Sequence, residues 1–551
     1  MVTDWICSRL SVERVSVGGV LLALCIVAAC NADSQADSAG SGNFTPGMAT
    51  GGTSSGNFGQ GGAGTSIAGS AALPPEVELD QTFRAPVATG RVLWSSNPES
   101  GRVALIDAQT LKVRMTDAGF GPSYLAAVPN RAGADSAIVL NVGSHDATFM
   151  QAAADGSIAV TTIPTHTGAN SWSISDDGHF AIAWTDAAQI SGAALDPSDG
   201  FSELTVIDLS ASAPTSTRLS VGFRPSQVVF DAPKMHAYAV VEEGVSVLDL
   251  SGEPLVSALI PVTAPGSSTR DVNIAQGGSF AIVRVNGSAD VEIVDLGSST
   301  GATQTVSLES AVTDLDLSVD GQSATAVLGN LIPPKVVRFA VPNPGTDVAK
   351  FVSKAIPDEI VRSVTLAPDG QVALLYANAV SNSHLTLLDT SAPDQGFQLR
   401  TLDLHGAVQR VYVSPDSTTA ITVQLPPSGS KKKGMFSVVP TRTARSPNIV
   451  GSDAIPQDVA FSEPAVGKAL VTVHDSASTV YGVYVVGLAN LEQNFVTLAS
   501  EPLVGATGIV PDVRVGFVAQ KHPEGRITFI DLDSGVTQTL TGFEIAARVV
   551  Q

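Results

Sequence analysis

Cysteine is nearly absent from this chain of 551 residues. The three cysteines, Cys7, Cys25 and Cys30, all lie within the first 30 residues. If Cys30 begins the mature chain, the other two are removed with the leader and no free thiol remains. This excludes disulfides, thiolate metal sites and a cysteine nucleophile from the folded part.

Charge, and basic charge in particular, is also scarce. Only 15% of the residues are charged, and 30 Lys and Arg against 52 Asp and Glu leave a net charge of -22. Such a surface repels phosphate backbones, so nucleic acid is not an expected partner. The one basic run, Lys431 to Lys433, follows the segment PPSGS and is interpreted as a solvated hairpin tip.

Familiar catalytic and metal-binding motifs are missing too. The chain has no paired histidines at metal-ligand spacing, no Gly-x-Ser-x-Gly elbow, no phosphate loop and no dinucleotide fingerprint. Two acidic turns, SDDGH at 175–179 and DLDSG at 531–535, lack the alternating ligands and closing Glu of an EF-hand loop. The sequence therefore indicates no metal site and no cofactor, although a site assembled from distant segments stays open.

The first 80 residues have the composition of an export signal followed by a tether. An apolar run follows two arginines and ends in VAAC at 27–30, which matches the bacterial lipobox. We predict that residues 1–29 are a lipoprotein signal peptide, that Cys30 is lipidated, and that residues 30–80 form a flexible Gly-, Ser- and Ala-rich tether. A plain signal peptide and an uncleaved anchor are the alternatives. The prediction implies a bacterial cell-envelope protein, anchored to a membrane and facing the periplasm or the exterior.

From residue 81 to residue 551 the chain repeats one short pattern. Apolar segments that end in Asp recur at intervals of about 47 residues or small multiples of that length. These aspartates are Asp107, Asp208, Asp249, Asp295, Asp389 and Asp531. Four segments without the Asp, TFMQAAADG, VVRFAVPNP, MFSVVPTRT and VYVVGLANL, occupy the positions between them. The spacing predicts ten units.

Each unit has the pattern of four short strands. Alternating apolar residues are interrupted by Gly, Pro, Asn or Asp, and no helical periodicity appears. Four antiparallel strands per unit predict the blades of one large β-propeller, an all-β fold. The first unit lacks an obvious inner strand, so we expect the C-terminal segment FEIAARVVQ to join it and close the ring. Eight or nine blades, or two smaller rings, are the alternatives.

The repeated aspartates are interpreted as turn residues. A catalytic set is small and its members differ, whereas these recur once per unit and are absent from four of the ten units. Asp at a strand end accepts hydrogen bonds from backbone N–H groups two residues further on, which makes an Asx-turn. We therefore predict that Asp389 and its counterparts cap the turn after the third strand of each blade.

The repeat resembles that of the bacterial YVTN-type surface-layer propellers. The segments VLWSSNPESGRVALIDAQTLKV and ALLYANAVSNSHLTLLDTS carry the resemblance, and SVDG, APDG and SPDS at 318–321, 367–370 and 414–417 fit its inner turn. It covers about 460 residues. Proteins with this pattern include lactonase-type enzymes, the haem-d₁ domain of nitrite reductase and non-enzymatic surface proteins, so the resemblance implies a fold but leaves function open. The Cys-x-x-Cys-His haem attachment is absent from the sequence.

The inner strands offer the candidate site, because they line the central channel of a propeller. Aligning the ten units places polar and aromatic residues just before the apolar core of each inner strand; we call these residues the inner-strand column. It comprises Tyr124, Trp172, Gln227, Arg270, Asp271, Asp314, Arg362, Arg410, Asp458 and Arg548. We predict a ligand-binding channel mouth here. The alternative is a solvent-exposed lining in which Arg and Asp pair across the channel.

These observations predict a lipid-anchored, extracytoplasmic binding scaffold without evident catalysis. Its expected partners are a membrane, through the lipid anchor, and a protein or small-molecule ligand. The alternative is a propeller-type hydrolase or lactonase, in which Arg, Asp and His residues converge at the channel mouth. A redox propeller with a non-covalent cofactor is a third option.

Overall fold

The computed structural model describes residues 86–542, apart from residues 130–133, 154, 156, 191–199, 211–212, 253–255, 263–269, 276, 298–300, 346–350, 392–397 and 523–524. Forty strands form ten four-stranded antiparallel sheets. The predicted all-β propeller is therefore confirmed, with ten blades. The predicted leader, Cys30 and the whole predicted tether precede these residues, and Arg548 and the predicted closing strand follow them.

The strands run in chain order through the blades. Blades 1 to 5 contain β1 (Val87–Thr89), β2 (Val92–Asn97), β3 (Arg102–Asp107), β4 (Val113–Asp117); β5 (Pro122–Val128), β6 (Asp135–Asn141), β7 (Asp146–Ala152), β8 (Ile158–Pro164); β9 (Ser171–Ile174), β10 (Phe180–Trp184), β11 (Glu203–Asp208), β12 (Thr215–Ser220); β13 (Gln227–Asp231), β14 (His236–Val240), β15 (Gly244–Asp249), β16 (Val256–Pro261); β17 (Arg270–Ile274), β18 (Phe280–Val285), β19 (Asp290–Asp295) and β20 (Thr303–Ser307).

Blades 6 to 10 contain β21 (Asp314–Leu317), β22 (Ser323–Leu328), β23 (Lys335–Ala340), β24 (Val352–Ala355); β25 (Ser363–Leu366), β26 (Val372–Tyr376), β27 (His384–Asp389), β28 (Gln398–Asp403); β29 (Ala407–Val413), β30 (Thr419–Leu425), β31 (Gly434–Pro440), β32 (Asn448–Ser452); β33 (Ile455–Phe461), β34 (Lys468–Asp475), β35 (Val480–Gly487), β36 (Gln493–Thr497); β37 (Pro502–Val510), β38 (Val515–Gln520), β39 (Arg526–Asp531) and β40 (Thr537–Thr541). Three single turns of 3-10 helix, Ala187–Gln189, Ala232–Lys234 and Pro511–Val513, interrupt them. In the described ranges no helix is long and apolar enough to cross a membrane.

Burial within a blade follows its layers. The second strands are almost wholly apolar and buried, as in FAIAW of β10 and VALLY of β26, because neighbouring blades cover both of their faces. The fourth strands, such as TSTRLS of β12, are largely exposed and rich in Thr and Ser. The sequence pattern of each unit thus sets which strand lies between blades and which lies at the rim.

The antiparallel order gives the ring two different faces. Turns between first and second strands, and between third and fourth strands, lie on one face, which we call the turn face. The loops between second and third strands, and the connections to the next blade, lie on the other, which we call the loop face. The four segments that lack the repeated Asp form β7, β23, β31 and β35, all third strands, as the spacing predicts.

The ring closes between blade 10 and blade 1. Leu93 and Ile106 of blade 1 are fully buried in one apolar cluster with Phe517 and Phe529 of blade 10. The Asp512 N–H also donates to the carbonyl of Gly90 at 3.0 Å. The first blade has its own inner strand, β1, where we expected the C-terminal segment to serve; that segment lies outside the described residues. With only three residues, β1 is too short to show a strand pattern in the sequence.

Candidate functional site

The repeated aspartates cap turns, as predicted. The Asp389 carboxylate accepts hydrogen bonds from the Ser391 N–H at 2.8 Å and from the Ser391 hydroxyl at 2.6 Å. Equivalent bonds run from Thr110 to Asp107, from Ser210 to Asp208, from Ser251 to Asp249, from Gly297 to Asp295 and from Ser534 to Asp531. All six residues end a third strand on the turn face, so the Asx-turn interpretation is confirmed.

Asp314, a member of the inner-strand column, connects blade 6 to blade 7. One of its carboxylate oxygens accepts from its own neighbour, the Leu315 N–H, and the other from the Val364 N–H of β25, both at 2.9 Å. Asp316 repeats this arrangement with the Leu366 N–H at 2.9 Å. Amides on the channel edge of an inner strand have no ladder partner, and these carboxylates satisfy them.

The arginines at the start of the inner strands also join neighbouring blades. Arg270 of blade 5 donates to the carbonyls of Val241 and Glu242 in blade 4, at 2.8 and 3.0 Å. Burial lowers the pKa of Arg270 from its ordinary value. Arg362 donates to the Asn330 side chain at 2.9 Å. These contacts run between adjacent blades along the channel wall.

Asp271 pairs with an arginine of its own blade. Its carboxylate lies 3.5 Å from the Arg284 guanidinium, on the paired strand β18. Arg284 is 6% exposed and also donates to the Thr313 carbonyl of blade 6 at 2.7 Å. The Asp and Arg pairing that the sequence suggested across the channel therefore occurs here between paired strands.

Three other members of the column lie at blades 2 to 4. Trp172 is fully buried and Tyr124 is 7% exposed, and both belong to the apolar cluster of these blades. Burial, with a smaller effect of the Asp186 charge, raises the pKa of the Tyr124 hydroxyl. Gln227 is half-buried at the start of β13. In blades 2 to 4 the side chains of Tyr124 and Trp172 therefore pack between blades.

Arg410 and Asp458 lie in a part of the ring with unusual inner strands. β29, β33 and β37 have seven to nine residues, against four or five in β9, β13, β17, β21 and β25. Each of the three contains a register shift, between Val408 and Arg410, Pro456 and Val459, and Pro502 and Thr507. β5 of blade 2 also has seven residues and a register shift, between Pro122 and Tyr124, but no neighbouring inner strand shares it. We call β29, β33 and β37 the bulged arc. Bulges re-aim side chains and are frequent beside functional sites.

Asp458 is the most perturbed carboxylate of the column. It is 5% exposed, and its Oδ2 accepts from the Gly505 N–H of blade 10 at 2.6 Å. Burial raises its pKa to about 6, against the opposing effects of the Gly505 hydrogen bond, the Arg410 charge and a side-chain hydrogen bond from Thr472. Among the described residues, Asp458 Oδ1 is a buried oxygen with no hydrogen-bond partner.

Two neighbouring oxygens share that property. In the same described part of the chain, Gln457 Oε1 and Thr507 Oγ1 are also buried without a hydrogen-bond partner. Gln457 precedes Asp458 in the bulge of β33, and Thr507 follows Gly505 by two residues on β37. The bulged arc therefore holds three unsatisfied oxygens at the junction of blades 9 and 10.

Three histidines pair with carboxylates outside the inner-strand column, and a fourth lies between threonines. His384 lies 2.7 Å from Glu359, His474 lies 3.1 Å from Glu501, and His405 lies 3.4 Å from Asp403. His166 is fully buried between Thr185 and Thr205, and burial lowers its pKa to about 4. The hydrolase alternative needs histidines beside the column carboxylates, and these four contacts lie elsewhere.

Exposed apolar side chains are distributed unevenly between the two faces. The described residues include eleven exposed large hydrophobic side chains. Seven lie on the loop face: Phe120, Val142, Ile332, Ile360, Leu425, Ile455 and Val504. Val160, Leu259 and Phe495 lie on fourth strands, and Val536 lies on the turn face. The sequence did not reveal this set, because an apolar residue at a strand end has the same local pattern whether it is covered or exposed.

A cleft with a mixed polar and apolar lining lies between blades 7 and 8, on the rim. Its volume is about 370 Å³, and its lining includes Asp389, Arg400 and Arg442. The Arg400 guanidinium donates to the carbonyls of Pro440 and Thr443, and Arg442 pairs with Asp369. These partners engage both arginines in contacts between blades.

No protein-family model matches the chain, and no curated protein matches it. Among solved structures, the chain is similar to a eukaryotic initiation factor, with 13% identity over 82% of this chain and 97% of that one and a TM-score of 0.47. It is similar to the dihydro-haem d1 dehydrogenase NirN, with 11% identity over 78% and 77% and a TM-score of 0.38. It is also similar to apo AztD from Citrobacter koseri, with 12% identity over 72% and 93% and a TM-score of 0.37. At this level of similarity no activity or ligand is transferred to the chain.

Proposed function

We propose that this protein is a lipid-anchored, extracytoplasmic β-propeller of the YVTN type that acts as a binding scaffold and docks a protein partner on its loop face. The observation that supports docking is the uneven distribution of exposed apolar side chains, seven of eleven of which lie on that face. On the turn face, the aspartates and their hydrogen-bonded turns form a polar surface. Exposed apolar groups on neighbouring blades, as with Leu425, Ile455 and Val504 on blades 8 to 10, are typical of an interaction surface.

The charge of the chain indicates the chemistry of the partner. With a net charge of -22, the propeller attracts positively charged proteins and repels acidic ones. The apolar side chains Leu425, Ile455 and Val504 lie on the bulged arc and on β30 beside it, around the mouth of the channel. We therefore expect a partner with an apolar contact surface bordered by Lys and Arg.

The predicted tether fits this role. A flexible tether of about 45 residues after Cys30, as the composition predicts, would have a root-mean-square reach of roughly 35–40 Å. That length would hold the propeller clear of the membrane and let the ring turn its loop face toward a partner. The motif VAAC at 27–30 supports lipidation as the means of attachment.

Site-specific photo-crosslinking in cells tests the docking proposal. A crosslinking amino acid at Ile455 or Ile332, on the loop face, is expected to give a defined adduct with one protein, and the additional substitution Val504→Asp is expected to reduce that adduct severalfold. A crosslinker at Val536, which is exposed on the turn face, is the matched control. Adducts of equal yield from Val536, or none from the loop-face positions, would contradict the proposal.

Membrane fractionation tests the anchor. Cys30→Ser removes the thiol that would carry the lipid, so the protein is expected to move from the membrane to the soluble fraction. A conservative change in the tether, Ser38→Ala, is the control and should leave the protein in the membrane fraction. Retention of the Cys30→Ser protein in membranes would rule out lipidation at this residue as the anchor.

A further inference from the structure

The junction of blades 9 and 10 contains three buried oxygens that have no hydrogen-bond partner among the described residues: Gln457 Oε1, Asp458 Oδ1 and Thr507 Oγ1. Leaving a buried acceptor unsatisfied costs about 1–3 kcal/mol, and more when the group is charged. Native proteins rarely tolerate several such groups in one place without a ligand, ion or water. A bound ion or an ordered water would satisfy these oxygens.

The bulge in β33 gathers these atoms. The pairing of β33 with β34 shifts between Pro456 and Val459, so Gln457 and Asp458 together occupy the position opposite Thr472. Asp458 reaches blade 10, where its Oδ2 accepts from the Gly505 N–H at 2.6 Å. Thr507 lies two residues beyond Gly505 on β37, which carries its own bulge. The three oxygens thus come from the adjacent inner strands of two blades, which the Gly505–Asp458 hydrogen bond joins.

Asp458 differs from Asp314, the other carboxylate of the inner-strand column that joins two blades. Asp314 and Asp458 both accept a hydrogen bond from the inner strand of the next blade, from Val364 and Gly505 respectively. The second oxygen of Asp314 accepts from the Leu315 N–H at 2.9 Å. Among the described residues, Oδ1 of Asp458 accepts from no backbone N–H. The nearby side chain is the Thr472 hydroxyl, which accepts from the Asp458 N–H at 3.2 Å and helps to lower the pKa of the carboxylate. The hydrogen bond from Gly505 to Asp458 joins blades 9 and 10 but occupies only one of the two carboxylate oxygens.

We propose that this cluster is a binding site for a hard cation, Ca²⁺, coordinated by Asp458, Gln457 and Thr507 together with water. Carboxylate, amide and hydroxyl oxygens are all ligands for hard cations. Ca²⁺ accepts irregular sets of six to eight oxygens at 2.3–2.6 Å, whereas Mg²⁺ requires near-octahedral geometry. Oxygens supplied by two separate bulged strands suit the less demanding ion.

Arg410 sets the expected affinity. It is the positive charge that acts on Asp458 from the neighbouring blade, and its guanidinium donates to the Tyr412 hydroxyl at 3.4 Å. Arg410 therefore lowers the affinity of the site for a cation, and a single carboxylate contributes little charge of its own. We expect dissociation constants of about 10⁻⁴–10⁻³ M, the range of extracellular calcium modules.

Thermal unfolding of the full-length protein in detergent tests the proposal, with the buried tryptophans as the fluorescence probe. After removal of divalent cations with EDTA, titration with CaCl₂ to about 10 mM is expected to raise Tm by roughly 2–4 °C. Asp458→Asn is expected to abolish the rise. Asp314→Asn is the matched control and should retain it. Arg410→Gln should shift the Ca²⁺ dependence at least about threefold toward lower concentration, because it removes a repulsive charge.

Two results would overturn the proposal. One is no effect of CaCl₂ on the wild-type protein, which would mean that water satisfies the three oxygens. The other is an equal rise of Tm in Asp458→Asn, which would place the bound ion elsewhere. If Asp458→Asn does not fold, Thr507→Val provides the second test: it removes one ligand, and the Ca²⁺ dependence should shift at least about threefold toward higher concentration.

Discussion

One residue type, aspartate, has three different roles in this ring. Asp389 and its five counterparts end third strands and cap turns through hydrogen bonds with the residues that follow. Asp314 joins two blades by accepting from the inner strand of the next one. Asp458 does the same with one oxygen but leaves the other unsatisfied among the described residues. The role depends on the position of the side chain in the blade, because all of them have the same chemistry.

The turn-capping role makes a prediction about Asp389. Asp389→Ala removes the acceptor for the Ser391 N–H and hydroxyl and should lower the free energy of unfolding by about 1 kcal/mol. Asp389→Asn keeps an oxygen acceptor in place and should cost clearly less. Urea denaturation of both variants gives the measurement. A large loss of stability in the Asn variant would show that the negative charge, and not the hydrogen bond, is what matters.

At the level of elements, the inner strands differ around the ring. Those of blades 3 to 7 are short and regular, and side chains such as Asp314, Asp316 and Arg270 join them to neighbouring blades. The strands of the bulged arc, in blades 8 to 10, are longer. In β33 the bulge places both Gln457 and Asp458 opposite a single residue of β34. The three consecutive irregular strands thus shape the part of the mouth where we propose binding, whereas β5 of blade 2 is a single irregular strand.

Hydrogen exchange tests the bridging role of the inner-strand carboxylates. Asp316 accepts from the Leu366 N–H, which lies on the edge of β25. In Asp316→Ala this amide loses its acceptor, and we expect its exchange to become about tenfold faster. Amides of β17, in blade 5, serve as the internal control and should not change. Unchanged exchange at Leu366 would mean that the contact does not protect the strand.

For the whole molecule, closure of the ring decides stability. The apolar cluster between blades 10 and 1 buries Leu93 and Ile106 as completely as the clusters between internal blades bury their members. A closed ring leaves no blade with an uncovered face and no special weak end. We therefore expect the propeller to unfold as one unit.

A matched pair of substitutions tests closure. Ile106 and Ile207 each precede the turn aspartate of a third strand and are fully buried, the first at the junction of blades 10 and 1 and the second between internal blades. In a closed ring, changing either one to Ala should cost a similar amount, about 2–5 kcal/mol. Thermal or urea unfolding supplies the comparison. A much smaller cost for Ile106→Ala would indicate that the ring is open at this junction.

The amino-acid sequence by itself determined the blade architecture. The interval of about 47 residues, the four alternating strands and the role of Asp389 are local properties, since strand period and turn chemistry depend on residues close in the chain. The short strand β1 escaped detection because three residues, Val87–Thr89, are too few to show a period.

Only the tertiary structure decided what the candidate site contains. The inner-strand column looked uniform in sequence, yet Trp172 is buried in the core, Asp314 is fully engaged between two blades, and Asp458 has a free buried oxygen among the described residues. The sequence pattern also did not show that most exposed apolar side chains lie on the loop face. The reason is physical: whether a side chain is covered or satisfied depends on atoms of the next blade, about 47 residues away in the chain, and no local pattern records them.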